Sequence, residues 1–72
     1  MDARQLFLVK QESEKIIARL SRNEKVRAVT PIAKYLLLNA PYWYDGHYIN
    51  PVVKSLGAGV WELHNDEKGS TP

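Results

Sequence analysis

Residues Val53 to Leu63, VKSLGAGVWEL, contain the pattern that decides the fold. The LGAG segment from Leu56 to Gly59 is typical of a tight turn, because glycine reaches backbone conformations that other residues rarely adopt. Val60 to Leu63 follows it, and the alternation of residue types there is typical of a strand. The stretch therefore predicts a turn that leads into a β-sheet.

The N-terminal third predicts a short strand followed by a helix. Arg4 to Lys10, RQLFLVK, has four consecutive apolar residues between polar ends, which fits a short buried strand or the front of a helix. We take it as a short N-terminal strand. In the next segment Ile16, Ile17 and Leu20 have helical spacing, and Ser13 can cap the helix that contains them.

A second helix is predicted from Glu24 to about Asn39. Its apolar residues follow the i, i+3, i+4 spacing of one buried face; they are Val26, Val29, Ile32, Ala33, Leu36 and Leu37. Pro31 interrupts this pattern, since a proline inside a helix removes a hydrogen bond. The helix either bends there or begins at Thr30-Pro31, and we expect the two helices to form a hairpin.

The rest of the chain predicts a loop and a tail around the strand. Ala40 to Pro51, APYWYDGHYINP, is rich in proline and aromatic residues and has a turn signal at Asp45-Gly46. Residues 64–72, HNDEKGSTP, read as a polar tail. Val60 to Leu63 would then have an unpaired edge, and because exposed edges are usually covered, we expect association with another chain, including a second copy.

Length and composition limit the classes of protein. The 72 residues allow one domain, 1–72, and 44% hydrophobic with 25% charged residues is the balance of a folded chain, here of the α+β class. The sequence contains no cysteine, which excludes disulfides and thiolate metal sites. No stretch approaches the roughly 20 apolar residues of a membrane span, so we expect a cytoplasmic protein without membrane contact.

Motifs for cofactors and metals are missing from the sequence. It has no phosphate-binding loop, dinucleotide fingerprint, nucleophile elbow or zinc spacing, and we predict no cofactor. His47 and His64 are too isolated to predict a metal site, because such a site needs three or four converging ligands. The net charge of +2 suits RNA or an acidic protein partner without requiring either.

The order of the predicted elements resembles the phage-derived HigB-like branch of the RelE toxin family. The distinctive matches lie near the end of the chain, with less specific agreement in the helices: Pro51, Val53, Lys54, Leu56, Gly57, Gly59, Val60, Trp61, Glu62 and Leu63, and then Leu20, Val26, Ile32 and Leu36. The resemblance implies an antiparallel sheet packed against a helix hairpin. Trp61 lies in a strand opposite the predicted helices, and we expect it in the core.

The resemblance also implies a function. Members of this family enter the ribosomal A site and cut mRNA without a metal, and an antitoxin silences them. Here it assigns catalytic roles to His64 and Lys54. Family members have arginine where this chain has His64 and continue with further strands, so we expect a C-terminally shortened domain; an active toxin and an inactive short form both stay open.

The remaining candidate residues have a functional and a plain structural interpretation. Arg19, Arg22 and Arg27 can bind RNA phosphates, or they can lie on a solvated helical face with mixed charges. The aromatic residues Tyr42, Trp43, Tyr44 and Tyr48 can bind a protein partner or stack on RNA bases, or they can cover the core. Lys54 and His64 can equally be ordinary surface residues.

Two functions follow. The first is a ribosome-dependent mRNA endoribonuclease toxin with mRNA, the ribosome and an antitoxin as partners. The second is a non-catalytic phage or mobile-element protein that binds a host protein or an antitoxin through its aromatic loop and helix hairpin.

Overall fold

The computed structural model describes residues 2–66, and over this range the chain folds as two helices and five strands. The α+β class predicted from the sequence is confirmed. In chain order the elements are α1 (Ala3–Leu20), β1 (Val26–Val29), α2 (Thr30–Asn39), β2 (Tyr42–Tyr44), β3 (His47–Ile49), β4 (Pro51–Gly57) and β5 (Val60–Asn65).

The main sheet is antiparallel, with the strand order β1-β5-β4. Leu63 in the central strand lies opposite Val26 of β1 and Val53 of β4. The expectation of an unpaired edge at Val60 to Leu63 is therefore wrong, because β1 covers one side of that strand and β4 the other. The predicted turn is confirmed: Gly57, Ala58 and Gly59 all have positive φ and connect β4 to β5.

The N-terminal strand predicted at Arg4 to Lys10 is wrong, since the whole segment belongs to α1. Asp2 caps this helix: its Oδ1 accepts from the Gln5 N–H at 2.8 Å, and the Gln5 side chain accepts in turn from the Asp2 N–H. The prediction that Ser13 caps a helix is therefore wrong. Ser13 is buried within α1, and its hydroxyl donates to the Val9 carbonyl at 2.7 Å.

Of the two predicted starts of the second helix, the one at Thr30-Pro31 is confirmed and the one at Glu24 is wrong. Val26–Val29 alternates buried and exposed positions and forms β1, because its β-branched residues pair with β5. Pro31 occupies the first turn of α2, where its missing N–H costs nothing. The two helices do pack against each other, as expected of the helix pair, but β1 lies between them in sequence.

The aromatic segment predicted as a loop forms a second, two-stranded sheet from β2 and β3. Its predicted turn at Asp45-Gly46 is confirmed, with φ of 48° and 78°. Positive φ at both central residues is the requirement of a type I′ hairpin, which Asp-Gly meets well. His64 and Asn65 belong to β5, so the predicted tail does not begin at residue 64; its residues 67–72 lie outside the described range.

The core lies between the helices and one face of the main sheet. Both helices contact β1 and β5. Trp61 is only partly buried against this core, and its Nε1 donates to Thr30 Oγ1 at 3.1 Å, which ties β5 to the start of α2. The buried apolar residues are Ile16, Ile17, Leu20, Val26, Ala28, Ala33, Leu36, Ile49 and Leu63.

Two leucines of α2 give a matched test of this packing. Leu36 is 0% exposed and Leu38 is 75% exposed. Leu36→Ala should lower the free energy of unfolding by about 2–5 kcal/mol, because it leaves a cavity in the core. Leu38→Ala, the control, should change it by no more than about 0.5 kcal/mol. Urea denaturation followed by circular dichroism measures both, and equal losses would contradict the assigned core.

Candidate functional site

The helices leave one face of the main sheet uncovered. This face carries four side chains that can bind a charged ligand or transfer a proton. Neighbouring residues of a strand point to opposite faces, so the residues next to buried Val26 and Leu63 point away from the core. Arg27 pairs with Glu62, and Glu62 pairs with Lys54, in one row across the three strands. We call this surface, with His64 two residues along β5, the outer face.

Spacing on the outer face follows from the register. Directly opposite side chains have Cβ atoms about 4.5–5.5 Å apart, which places the Glu62 carboxylate between two cations. His64 lies opposite Val52 and is therefore diagonal to Lys54, about 7–8 Å away by the usual spacing. Lys54 and His64, the two residues predicted as catalytic, therefore both lie on the outer face. Arg27, predicted to bind RNA, lies on the same face.

The charges of the outer face are available for a ligand. Arg27 and Lys54 are exposed, whereas Glu62 and His64 are partly buried. Among residues 2–66, Lys15 forms an ion pair with Glu12, and Arg19 and Arg22 form ion pairs with Glu24; none of these pairs includes an outer-face residue. Two unpaired cations beside a carboxylate and an imidazole are a set that can hold a phosphodiester and move protons around it without a metal.

Arg19 and Arg22, predicted with Arg27 to bind RNA, occupy a different position at the end of α1. Arg19 Nε donates to Glu24 Oε1 at 3.1 Å, and Arg22 Nε donates to Oε2 of the same carboxylate at 2.8 Å. The bonds from Arg22 first, and then from Arg19, hold the pKa of Glu24 below its ordinary value. The three arginines therefore divide between an ion-paired cluster and the outer face.

The aromatic residues predicted to bind a partner divide in the same way. Trp43 is 75% exposed, and its ring makes an edge contact with Tyr48 at a centroid distance of 5.2 Å and an angle of 65°. Tyr44 is also exposed. Tyr42 instead packs against the core, and its hydroxyl donates to the Leu36 carbonyl. Its role is structural, whereas Trp43 and Tyr44 present rings to solvent.

Asn65 fixes the β2–β3 hairpin to the end of β5. Its Oδ1 accepts from the Asn50 N–H at 2.8 Å, and its Nδ2 donates to the Tyr48 carbonyl at 3.1 Å. Between the hairpin and the end of α1 lies a polar groove of about 510 Å³. We call it the hairpin groove; it is lined by Ser21, Asn23, Trp43, Gly46, His47, Tyr48 and Asn65.

A second cleft, which is apolar, lies between α2 and β5. It has a volume of about 340 Å³ and is bounded by α2 and by Trp61 of β5. Leu37 and Leu38 line it and are both exposed, and Lys34 also lines it. An exposed apolar cleft of this kind is a common feature of surfaces that bind other proteins.

Glu62 is the outer-face residue that sequence reasoning missed as a functional candidate. It was visible only as part of the strand pattern, and its position between Arg27 and Lys54 requires the register of three strands. The two-residue spacing of Glu62 and His64 places both on one face of a strand, but the apolar spacing of Val26–Val29 predicts helix and so does not reveal the neighbouring strand that carries Arg27. Within residues 2–66, no three His, Asp or Glu side chains are grouped to hold a metal, and no helix is long and apolar enough to cross a membrane.

Comparison of the chain with known protein families, with curated proteins and with solved structures finds no match.

Tyr42 gives a pH-dependent prediction. Burial, with a smaller effect of Tyr35, raises the pKa of its phenol from 10.0 to about 12. Below pH 10 both the folded and the unfolded phenol are protonated; above it the unfolded chain ionises first, which favours unfolding. The stability advantage of the wild type over Tyr42→Phe should therefore be constant below pH 10 and fall as the pH rises towards 12. Urea denaturation across this range measures it, and an advantage independent of pH would contradict the burial of the phenol.

Proposed function

We propose that the protein binds single-stranded RNA on the outer face and cleaves it as a metal-independent endoribonuclease, acting on mRNA in the cytoplasm. The observation that supports this most is the register that lines up Arg27, Glu62 and Lys54 beside His64. It gathers two cations and an acid–base pair on one open surface. The resemblance to the HigB-like toxins points to the same substrate, with the ribosome and an antitoxin as partners.

The reaction follows from what each group can do. The Glu62 carboxylate takes the proton of a ribose 2′-hydroxyl, whose oxygen then attacks the adjacent phosphorus. The bond from phosphorus to the 5′ oxygen breaks, and the His64 imidazolium gives that oxygen a proton. Arg27 and Lys54 stabilise the negative charge that develops on the phosphoryl oxygens. The products are a 2′,3′-cyclic phosphate and a 5′-hydroxyl.

The spacing of Glu62 and His64 along β5 supports their action as a general base and a general acid. Glu62 and His64 are two residues apart in one strand, which separates their Cα atoms by about 6.6–6.8 Å at the usual rise. This separation lets one phosphodiester lie between the carboxylate and the imidazole. Arg27 and Lys54 flank the carboxylate on either side, so that the phosphate is approached by cations from both neighbouring strands.

Binding is tested by removing the two cations together. Arg27→Ala combined with Lys54→Ala should weaken binding of a fluorescent single-stranded RNA and lower the slope of log K against log salt by about 1.4, at roughly 0.7 per phosphate contact. The control is Arg4→Ala with Lys10→Ala, which removes the same charge from α1, on the opposite side of the sheet. Fluorescence anisotropy at several salt concentrations measures both. Equal losses in the two double variants would contradict the outer face as the binding site.

Cleavage is tested in a cell-free translation reaction, with mRNA ends mapped by primer extension. His64→Ala and Glu62→Gln should each lower the cleavage rate by about 10²–10⁴-fold, the usual effect of losing a general acid or base. Glu14→Gln, an exposed carboxylate of α1, should cleave like the wild type. Intact mRNA and normal translation with the wild-type chain would contradict the nuclease proposal.

A non-catalytic protein-binding role is the second candidate. It is supported by the apolar cleft beside Trp61 and by Leu38 and Trp43, each 75% exposed. In this role the chain would bind a host protein or an antitoxin through α2 and the β2–β3 hairpin. The two functions separate in the translation assay, because a binding protein leaves mRNA ends unchanged whatever residue stands at position 64.

A further inference from the structure

The first turns of α1 carry large apolar side chains that the core does not cover. Leu6, Phe7 and Leu8 are 48%, 63% and 53% exposed. Ile16 and Leu20, towards the other end of the same helix, are buried. The helix has 18 residues, whereas α2, which packs against it, has 10. An exposed apolar patch at one end of a helix is typical of a protein–protein contact.

One side of these turns has a charge pattern that is symmetrical about Leu8. Arg4, Leu8 and Glu12 are spaced four residues apart, so they form one row along α1, which we call the Leu8 row. All three are exposed. Within residues 2–66 no ion pair includes Arg4. Glu12 Oε1 accepts from Lys15 at 3.2 Å, and the carboxylate has a second oxygen that can accept from another cation.

The Leu8 row is complementary to a second copy of itself. When two copies of α1 pack antiparallel about a two-fold axis at Leu8, position 4 of each copy faces position 12 of the other. Arg4 of each copy then meets Glu12 of the other, so the contact contains two ion pairs. A parallel arrangement would instead place each charge against the same charge, which is unfavourable. The pattern therefore specifies the antiparallel direction.

A pocket beside Leu8 supplies the apolar part of the contact. It has a volume of about 500 Å³ and is lined by Gln5, Leu8, Val9 and Pro31. Leu8 is thus both an exposed side chain and part of the pocket wall. In a two-fold contact the same patch must supply the projecting side chain and the space that receives it. This patch has both within two turns of one helix.

We propose that α1 forms the interface of a homodimer, in which residues 4–12 of two copies pack antiparallel about a two-fold axis at Leu8. The contact of one helical segment is small, so the dimer is weak and depends on protein concentration. The helices lie on the other side of the main sheet from the outer face, and both outer faces stay open in the dimer. The inference therefore goes beyond the proposed function and does not rest on it.

Charge reversal tests the ion pairs. Arg4→Glu or Glu12→Arg alone should weaken the dimer about 10-fold in sedimentation equilibrium, because each turns two attractive contacts into two repulsive ones. The two changes together should restore the dissociation constant of the wild type, since the pairs form again with the opposite polarity. The control is Lys10→Glu, which makes the same charge change as Arg4→Glu but lies about 200° around the helix from Leu8. It should leave the dissociation constant unchanged.

Cross-linking tests the position of the two-fold axis. The chain has no cysteine, so Leu8→Cys places one thiol on each copy, next to the axis and facing its own counterpart. Mild oxidation should link this variant into a disulfide dimer. Lys10→Cys, on the opposite side of α1, should link at least about 10-fold more slowly, because a disulfide needs Cα atoms within about 7 Å of each other. Circular dichroism checks that each variant folds, as exposed helix positions allow.

Three outcomes would overturn the homodimer. The first is a wild-type chain that stays monomeric at the highest soluble concentration. The second is a dimer that Arg4→Glu and Lys10→Glu weaken equally, which would reflect net charge alone. The third is a dimer weakened by Leu38→Ala and not by Leu8→Ala, which would place the contact in the apolar cleft. RNA binding and cleavage are measured well below the dissociation constant of the dimer, so either proposal can fail while the other stands.

Discussion

The pairing of β5 with both β1 and β4 is the constraint on which the rest of the structure depends. Leu63 at the centre of this strand is fully buried, and its neighbours across the sheet are Val26 and Val53. Burial of one face fixes the register, because a slip by one residue would move every side chain of the strand to the opposite face. The same slip would bury Glu62 and His64 and expose Leu63. The register that builds the core therefore also builds the outer face.

The turn between β4 and β5 makes this register specific. Gly57, Ala58 and Gly59 all have positive φ, and the pairing shifts by one residue between Ser55 and Gly57. Thr30 adds a contact from the other side, since its N–H and its hydroxyl both donate to the Gly59 carbonyl, at 2.9 and 3.0 Å. The turn is thus held by α2 as well as by its own backbone, which ties the start of that helix to the sheet.

The sequence predicted the local signals well and the long-range pairing poorly. The glycine turn, the Asp45-Gly46 turn and the strand after Gly59 were all confirmed, because each depends on residues close in sequence. The apolar spacing of Val26–Val29 also fits a helical stripe and so predicts helix, but pairing with residues 60–63 of β5, which are distant in sequence, decides its structure. The strand predicted at Arg4 to Lys10 is wrong for a local reason. Asp2 and Gln5 cap α1 at its N-terminus, and the helix continues through the apolar residues whose pattern also fits a strand.

The same distinction applies to the candidate site. The family resemblance points to Lys54 and His64, and the chemistry of arginine points to Arg27, but the sequence does not predict their grouping, because that needs three strands in register. Glu62 was missed for that reason. The aromatic set was chosen as a group of four, and only the structure separates Tyr42, which is bonded to the Leu36 carbonyl, from the exposed Trp43.

The bonds of Asn65 to Asn50 and Tyr48 have a consequence for the way the protein unfolds. They tie the two-stranded sheet of β2 and β3 to the end of β5, and an isolated two-stranded hairpin is at best marginally stable in water. The small sheet therefore depends on the main sheet for its order. Local opening at the end of β5 would release both sheets together, which joins them into one cooperative unit.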